Sequence, residues 1–347
     1  MLKIIVRVPN WIGDAVLSTP ALHLLRVKFP DSHIGILAKK WVAPVFESNP
    51  DVGDIYVIKE GEGRRSLAGR LKAAKFDLGI LFPNSFSSAF LFRLAAIPRR
   101  IGYATDGRSL LLTRRIKRPS LFKKEHQVDY YGRLVEAVGA GQGLSPQTAG
   151  EEGEKRLIWK VTEEEKRRAE ELLREAQIPP EAKLIGLSPG ATFGPAKRWF
   201  PERFAELGYE LQKRYRAKII IFGSPAEKEI AGSIKGRMVS APLDLAGRIN
   251  LRELAALISR CHLFITNDTG TMHIAAAVQT PLIAVFGSTD PVRTGPWGSR
   301  SIVLRKEVPC SPCLKKECKR RDYLCLKKIT VEDVLRAVEK IMEMGDE

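Results

Sequence analysis

With 347 residues, 44% hydrophobic and 28% charged, the chain is long enough for two globular domains and too apolar to be disordered. No apolar run reaches the roughly 20 residues that span a bilayer, and Leu2–Val8 reads as a strand rather than a signal peptide, so a cytosolic protein with reduced cysteines is expected. A formal charge of +17 points to an anionic partner (nucleic acid, an acidic membrane surface or a phosphorylated substrate), against the plainer reading of a basic soluble surface.

Short β-branched runs separated by helical patterns predict strands at Leu2–Val8, Ile34–Ala38, Ile55–Ile58 and Asp77–Phe82, as in an open parallel sheet. Positive residues then concentrate in Arg93–Arg118. Ala140–Glu154, rich in Gly and acidic residues and without period, is the predicted linker. The pattern restarts with a charged helix from Thr162 to Ala176, in which Thr162 and Glu165 form a capping box. Strands follow at Lys183–Ser188, Lys218–Phe222, Leu263–Thr266 and Leu282–Phe286, with a helix over Leu251–Ser259. A second basic segment, Arg305–Lys328, precedes an amphipathic helix over Val331–Met344 capped by Thr330. Both halves open strand, Pro/Gly loop, helix, which predicts two doubly wound domains with ligands at the carboxyl ends of their strands.

The run Gly139-Ala140-Gly141-Gln142-Gly143 follows a helix and is not a dinucleotide fingerprint. A P-loop, an HExxH helix and a nucleophile elbow are absent, which argues against ATP hydrolysis, zinc proteolysis and esterase chemistry. The most informative segment is Asn267–Ala277, where a Gly-containing turn joins a strand to a small-residue helix. That geometry aims backbone N–H groups at an anion. Asp268 and His273 add polar groups, His273 as a phosphate contact, an orienter of Asp268 or a structural histidine. Phe286–Thr289 repeats the strand-then-polar-turn pattern. Asp14 is either a helix N-cap or a general base. Lys197, in the loop Pro189–Trp199, either neutralises a diphosphate or is solvated surface, and Trp199 reads as a packing residue. Cys310, Cys313, Cys318 and Cys325 give C-x2-C-x4-C-x6-C, open to free thiols, a structural zinc or a disulfide. The lysines and arginines between them are candidate phosphate contacts.

Asn10–Leu22, Pro189–Trp199, Asn267–Ala277 with its continuation to Pro291, and the Cys310-Ser311-Pro312-Cys313 segment occur in order along the chain. Together they resemble the lipopolysaccharide heptosyltransferases of glycosyltransferase family 9. The ending Ala196-Lys197-Arg198-Trp199 is similar to that of the members that add the second heptose. The resemblance implies an α/β protein of GT-B fold, two doubly wound Rossmann-like domains facing across a cleft. Residues 1–155 would bind the acceptor and 156–330 ADP-heptose, with a helix over 331–347 packing back on the N-terminal domain. It implies inverting, metal-independent transfer of L-glycero-D-manno-heptose from ADP-heptose to an inner core of lipid A, Kdo and one heptose, with no cofactor required. By the same resemblance Asp14 is the base and Lys197 binds the donor phosphates. Thr192 lies at a phosphate-binding position, Asp268, Thr269, Gly270 and His273 form the donor turn, and Glu227 lies near a ribose contact. A first or third heptosyltransferase, with the same donor and another acceptor, is the alternative, and a basic nucleic-acid binder a distant one. Anionic lipid A adds an expectation of peripheral association with the cytoplasmic leaflet of the inner membrane.

Overall fold

The computed structural model describes residues 1–120, 122, 124–138, 155–236, 238 and 240–343; the predicted linker Ala140–Glu154 and the glycine run from Gly139 to Gly143 lie outside them. The chain divides into two compact units, Met1–Trp159 and Lys160–Glu347, a boundary a few residues beyond the expected one.

In the first unit, strands β1 (Lys3–Arg7), β2 (His33–Lys39), β3 (Asp54–Ile58), β4 (Leu78–Leu81), β5 (Arg99–Tyr103) and β6 (Arg114–Ile116) form one parallel sheet in the order β3-β2-β1-β4-β5-β6. The central strands are buried almost throughout, which is why β1 reads as the unbroken run Ile4-Ile5-Val6 rather than as an alternation. Ile5 and Leu37 pack with Leu71 and Phe92 of the flanking helices. The second unit repeats the plan. Strands β7 (Leu184–Ser188), β8 (Lys218–Ile221), β9 (Leu243–Asp244), β10 (Leu263–Asn267), β11 (Leu282–Val285) and β12 (Ser301–Leu304) lie in the order β12-β11-β10-β7-β8-β9. The two sheets thus share one topology. In each, the order reverses beside the first strand, between β1 and β4 and between β7 and β10. Loops diverge there and leave room for a ligand at the carboxyl ends.

β5, β6, β9 and β12 lack a clear signal in the sequence. β5 and β6 begin with arginine pairs that read as part of a basic patch, yet several of these arginines serve the fold. Arg100 donates from Nε to the Leu111 carbonyl (2.7 Å), and Arg115 from Nε to that of Ser109 (2.9 Å). Arg108 is fully buried, bonds the carbonyls of Tyr103 and Pro83, and has its pKa lowered to about 10 by burial. The stretch Arg93–Arg118 is therefore only partly a surface patch.

The C-terminal helix, Val331–Glu343, corrects an expectation. Its apolar stripe Val331, Val334, Leu335, Val338 and Ile341 joins the core of its own unit with Leu211, Ile283 and Val285, rather than packing back on the N-terminal domain. β11 and the helix Pro201–Tyr215 supply the apolar surface the stripe needs. Thr330 caps it as expected, its Oγ1 accepting from the Asp333 N–H at 3.1 Å.

The capping box at Thr162 is present. Glu165 also takes two bonds from the buried Arg252, at 2.7 and 2.9 Å, tying this entry helix to the helix Leu251–Arg260. Burial raises the Glu165 pKa, but Arg252 and the Thr162 N–H outweigh it, and the net shift is downward. Arg252→Ala leaves that carboxylate without its cation. It is expected to destabilise the protein by about 3 kcal/mol, read as a lower urea midpoint.

Candidate active site

The loop after β7 and the turn after β10 meet beside the switch point of the second sheet. Asn267, fully buried at the end of β10, joins them. Its side-chain amide donates to the Pro189 carbonyl (2.7 Å) and accepts from the Trp199 N–H (3.0 Å). Trp199 is itself buried and donates from Nε1 to the Ile329 carbonyl at 2.9 Å, so it is the packing residue expected.

Between these anchors the short turn Pro195–Lys197 presents the lysine. Lys197 Nζ lies 2.6 Å from Asp268 Oδ2, and Thr289 Oγ1, from the turn after β11, donates to the same oxygen. Asp268 is 3% exposed and the Lys197 side chain 13%. The carboxylate is thus engaged inside the protein, and the Phe193 ring centroid lies 4.9 Å from the ammonium. Asp268 thus holds the Lys197 ammonium in a buried ion pair. The helix Gly270–Ala277 starts beside it, with Thr269 at its N-cap and no side-chain cap bond. Its first N–H groups and dipole favour an anion. Thr192 is exposed on the loop, whereas His273 is buried in this helix.

Glu227 follows β8 and belongs to the same cluster. Its Oε2 accepts from the backbone N–H (2.8 Å) and hydroxyl (2.9 Å) of Ser224. The carboxyl rests on Gly190, where an added Cβ would lie 2.1 Å from Glu227 Cδ. Gly190 is required by that close approach. Gly190→Ala is expected to push Glu227 aside and cost about 1 kcal/mol of stability, roughly one disturbed buried hydrogen bond, read as a lower urea midpoint.

The cysteine-bearing segment backs these turns. Ala196 N–H donates to the Lys316 carbonyl (2.9 Å), Leu314 N–H to that of Ser288 (2.7 Å), and Ser311 Oγ to that of Gly287 (2.7 Å). Cys310, Cys313, Cys318 and Cys325 are free thiols, and among the described residues no group of three or more His, Cys, Asp or Glu could hold a metal ion. No disulfide joins the four thiols. The segment spans neighbouring turns through its backbone.

In the first unit, Asp14 is half-buried in the first turn of the helix Ile12–Leu17, which follows β1. The N-cap is Trp11, so Asp14 is not the cap. The approach loop is held from below. Arg7 is buried and donates to the carbonyls of Val8 (2.6 Å) and Leu37 (3.0 Å) and to Asn10 Oδ1.

Residues 64–324 match the family model described as glycosyltransferase family 9 (heptosyltransferase). The chain belongs to glycosyltransferase family 9. Lipopolysaccharide heptosyltransferase 2 of Salmonella typhimurium is 29% identical over 361 residues, covering 98% of this chain and 99% of the relative. The structure of E. coli ADP-heptose LPS heptosyltransferase II superposes with a TM-score of 0.82 at 28% identity, covering both chains completely. A family 9 glycosyltransferase from Veillonella parvula gives 0.88 at 27% identity, covering 99% of this chain and 98% of that one. The fold is accordingly of the GT-B type, and the expected pair of Rossmann-like units stands.

Asn267 and Thr289 were inside motifs but not among the expected site residues. A buried strand ending in a polar side chain is the signal for Asn267. For Thr289 it is the repeated turn after β11.

Proposed function

We propose that this family 9 heptosyltransferase transfers L-glycero-D-manno-heptose from ADP-heptose to the inner core of lipopolysaccharide, where lipid A already carries Kdo and one heptose. The observation that carries the reading is the buried Asp268 locking Lys197 beside an open helix N-terminus at the switch point of the second sheet. That constellation suits a diphosphate leaving group. The relative named heptosyltransferase 2, matched over nearly its whole length, supports the second-heptose assignment over a first or third transferase.

The chemistry is one displacement with inversion. Asp14 takes the proton from the acceptor hydroxyl, whose oxygen attacks the anomeric carbon. The bond from that carbon to the ADP oxygen breaks, and ADP leaves as an anion. Lys197 and the N–H groups at Gly270 and Thr271 stabilise the charge on the diphosphate, so no divalent ion is needed. Thr192 and Thr269 complete the phosphate contacts, and Glu227 with Gly190 holds the ribose. His273 supports the donor turn from within its helix. Anionic lipid A bearing this acceptor places the protein at the cytoplasmic leaflet, held by basic residues rather than by a spanning segment. Among the described residues no helix is long and apolar enough to cross a membrane.

Product configuration tests the mechanism. With an acceptor saccharide in excess EDTA, proton NMR is expected to show a single product whose anomeric configuration is opposite to that of the donor. Retention, or activity restored only by Mg²⁺, would contradict it.

A further inference from the structure

Large aromatic side chains rarely stand in water without a use, and tryptophan is usually well covered. Trp11 and Trp41 are 55% and 57% exposed, against 8% for Trp159 and 0% for Trp199. The two exposed indoles are neighbours. β1 and β2 run side by side in parallel, Arg7 facing Leu37 in the register, and Trp11 and Trp41 follow shortly after their carboxyl ends. Trp41 Nε1 donates to the carbonyl of Asn10, the residue before Trp11, at 3.0 Å. Asn10 is in turn held by the buried guanidinium of Arg7. Lys39 Nζ lies 5.5 Å from the centre of the Trp41 ring. The Trp41 indole is therefore tethered to the loop that leads into Trp11, and Trp11 is the N-cap of the helix whose first turn carries Asp14.

We infer that Trp11 and Trp41 form a saccharide subsite for the acceptor, stacking on the C–H face of a sugar while Lys39 and Lys40 take an acidic group of the same oligosaccharide. The acceptor's identity rests on the transferase reading above. An indole offers a flat apolar surface with a polar edge, which suits a pyranose ring whose faces are apolar and whose rim carries hydroxyls. An anionic membrane surface also attracts tryptophan and lysine. The sugar is favoured because Trp11 opens the helix whose first turn carries Asp14, and Trp41 is bonded to the residue before Trp11, close in the chain to where the reacting hydroxyl must lie. A lipid anchor has no reason to sit there.

The test is fluorine NMR of the full chain labelled with 5-fluorotryptophan, titrated with the fully deacylated core oligosaccharide of Kdo and one heptose. Trp11→Phe and Trp41→Phe assign the signals. Saturable shifts confined to the Trp11 and Trp41 resonances are expected, with those of Trp159, Trp199 and Trp297 unmoved. In turnover assays Trp41→Ala should raise the acceptor KM about tenfold, since one lost apolar stacking face removes on the order of 1.4 kcal/mol. The donor KM should not change, and Trp41→Phe should recover most of the loss. Absence of saturable shifts overturns the subsite. So do shifts elicited only by anionic vesicles, which would assign both indoles to lipid. Shifts with the oligosaccharide in a protein that transfers no heptose would keep the subsite and refute the donor reading.

Discussion

Asp14→Ala is expected to lower kcat by about 10²–10⁴-fold, the usual contribution of a general base, and to leave ADP affinity unchanged. The reason for the separation is topological. Asp14 sits on the helix after β1 in the first unit, whereas the cluster of Lys197, Asp268, Thr289 and Glu227, proposed to take the diphosphate, comes from the loops after β7, β10, β11 and β8 in the second. Asp14→Asn conserves size and hydrogen bonding but cannot take a proton, and should be as inactive as the alanine variant. Steady-state kinetics paired with ADP titration reads both quantities. An equal fall in turnover and ADP affinity would make Asp14 structural, as would recovery of activity in the asparagine variant.

Lys197→Ala should have a still broader effect, because two consequences follow from one deletion. On the proposed reading the diphosphate loses a fixed charge, and kcat is expected to drop by about 10²–10³ with weaker ADP binding. The buried carboxylate of Asp268 also loses its cation, 2.6 Å away, which costs about 3 kcal/mol of stability. The double variant Lys197→Ala/Asp268→Asn separates these effects. Neutralising Asp268 should restore much of the melting temperature and none of the activity. If activity returned with stability, Lys197 would be a purely structural partner of Asp268.

Much of this organisation is legible from the residues, for identifiable reasons. Central parallel strands are buried on both faces, so Ile4-Ile5-Val6 and Leu263-Phe264-Ile265 announce themselves as short unbroken apolar runs. Capping boxes are local, and Thr162 with Glu165 was readable for that reason. Edge strands have weaker signals: β6 is Arg114-Arg115-Ile116 and β9 only Leu243-Asp244. The arginines of Arg93–Arg118 illustrate another limit. Composition counts charges, but only the fold shows that Arg100 and Arg108 bond carbonyl oxygens inside the unit.

At the site, each turn was visible alone and their meeting was not. Lys197 and Asp268 are far apart in the sequence, and no local pattern states that one carboxylate receives both the lysine and Thr289. Glu227 resting on Gly190 is likewise a contact between separate loops. The C-terminal helix failed in the opposite way. Its stripe correctly predicted burial, but an amphipathic face does not specify its partner, and the core around Leu211 and Val285 supplied it.

The central claim is transfer of heptose from ADP-heptose to an inner core that already bears one. It is tested most directly by measuring ADP release and product mass with two acceptors, Kdo-lipid A and its mono-heptosylated form. Turnover with the heptosylated acceptor alone is the predicted result. Turnover with bare Kdo-lipid A alone, or with neither acceptor from a protein that binds ADP, would contradict it.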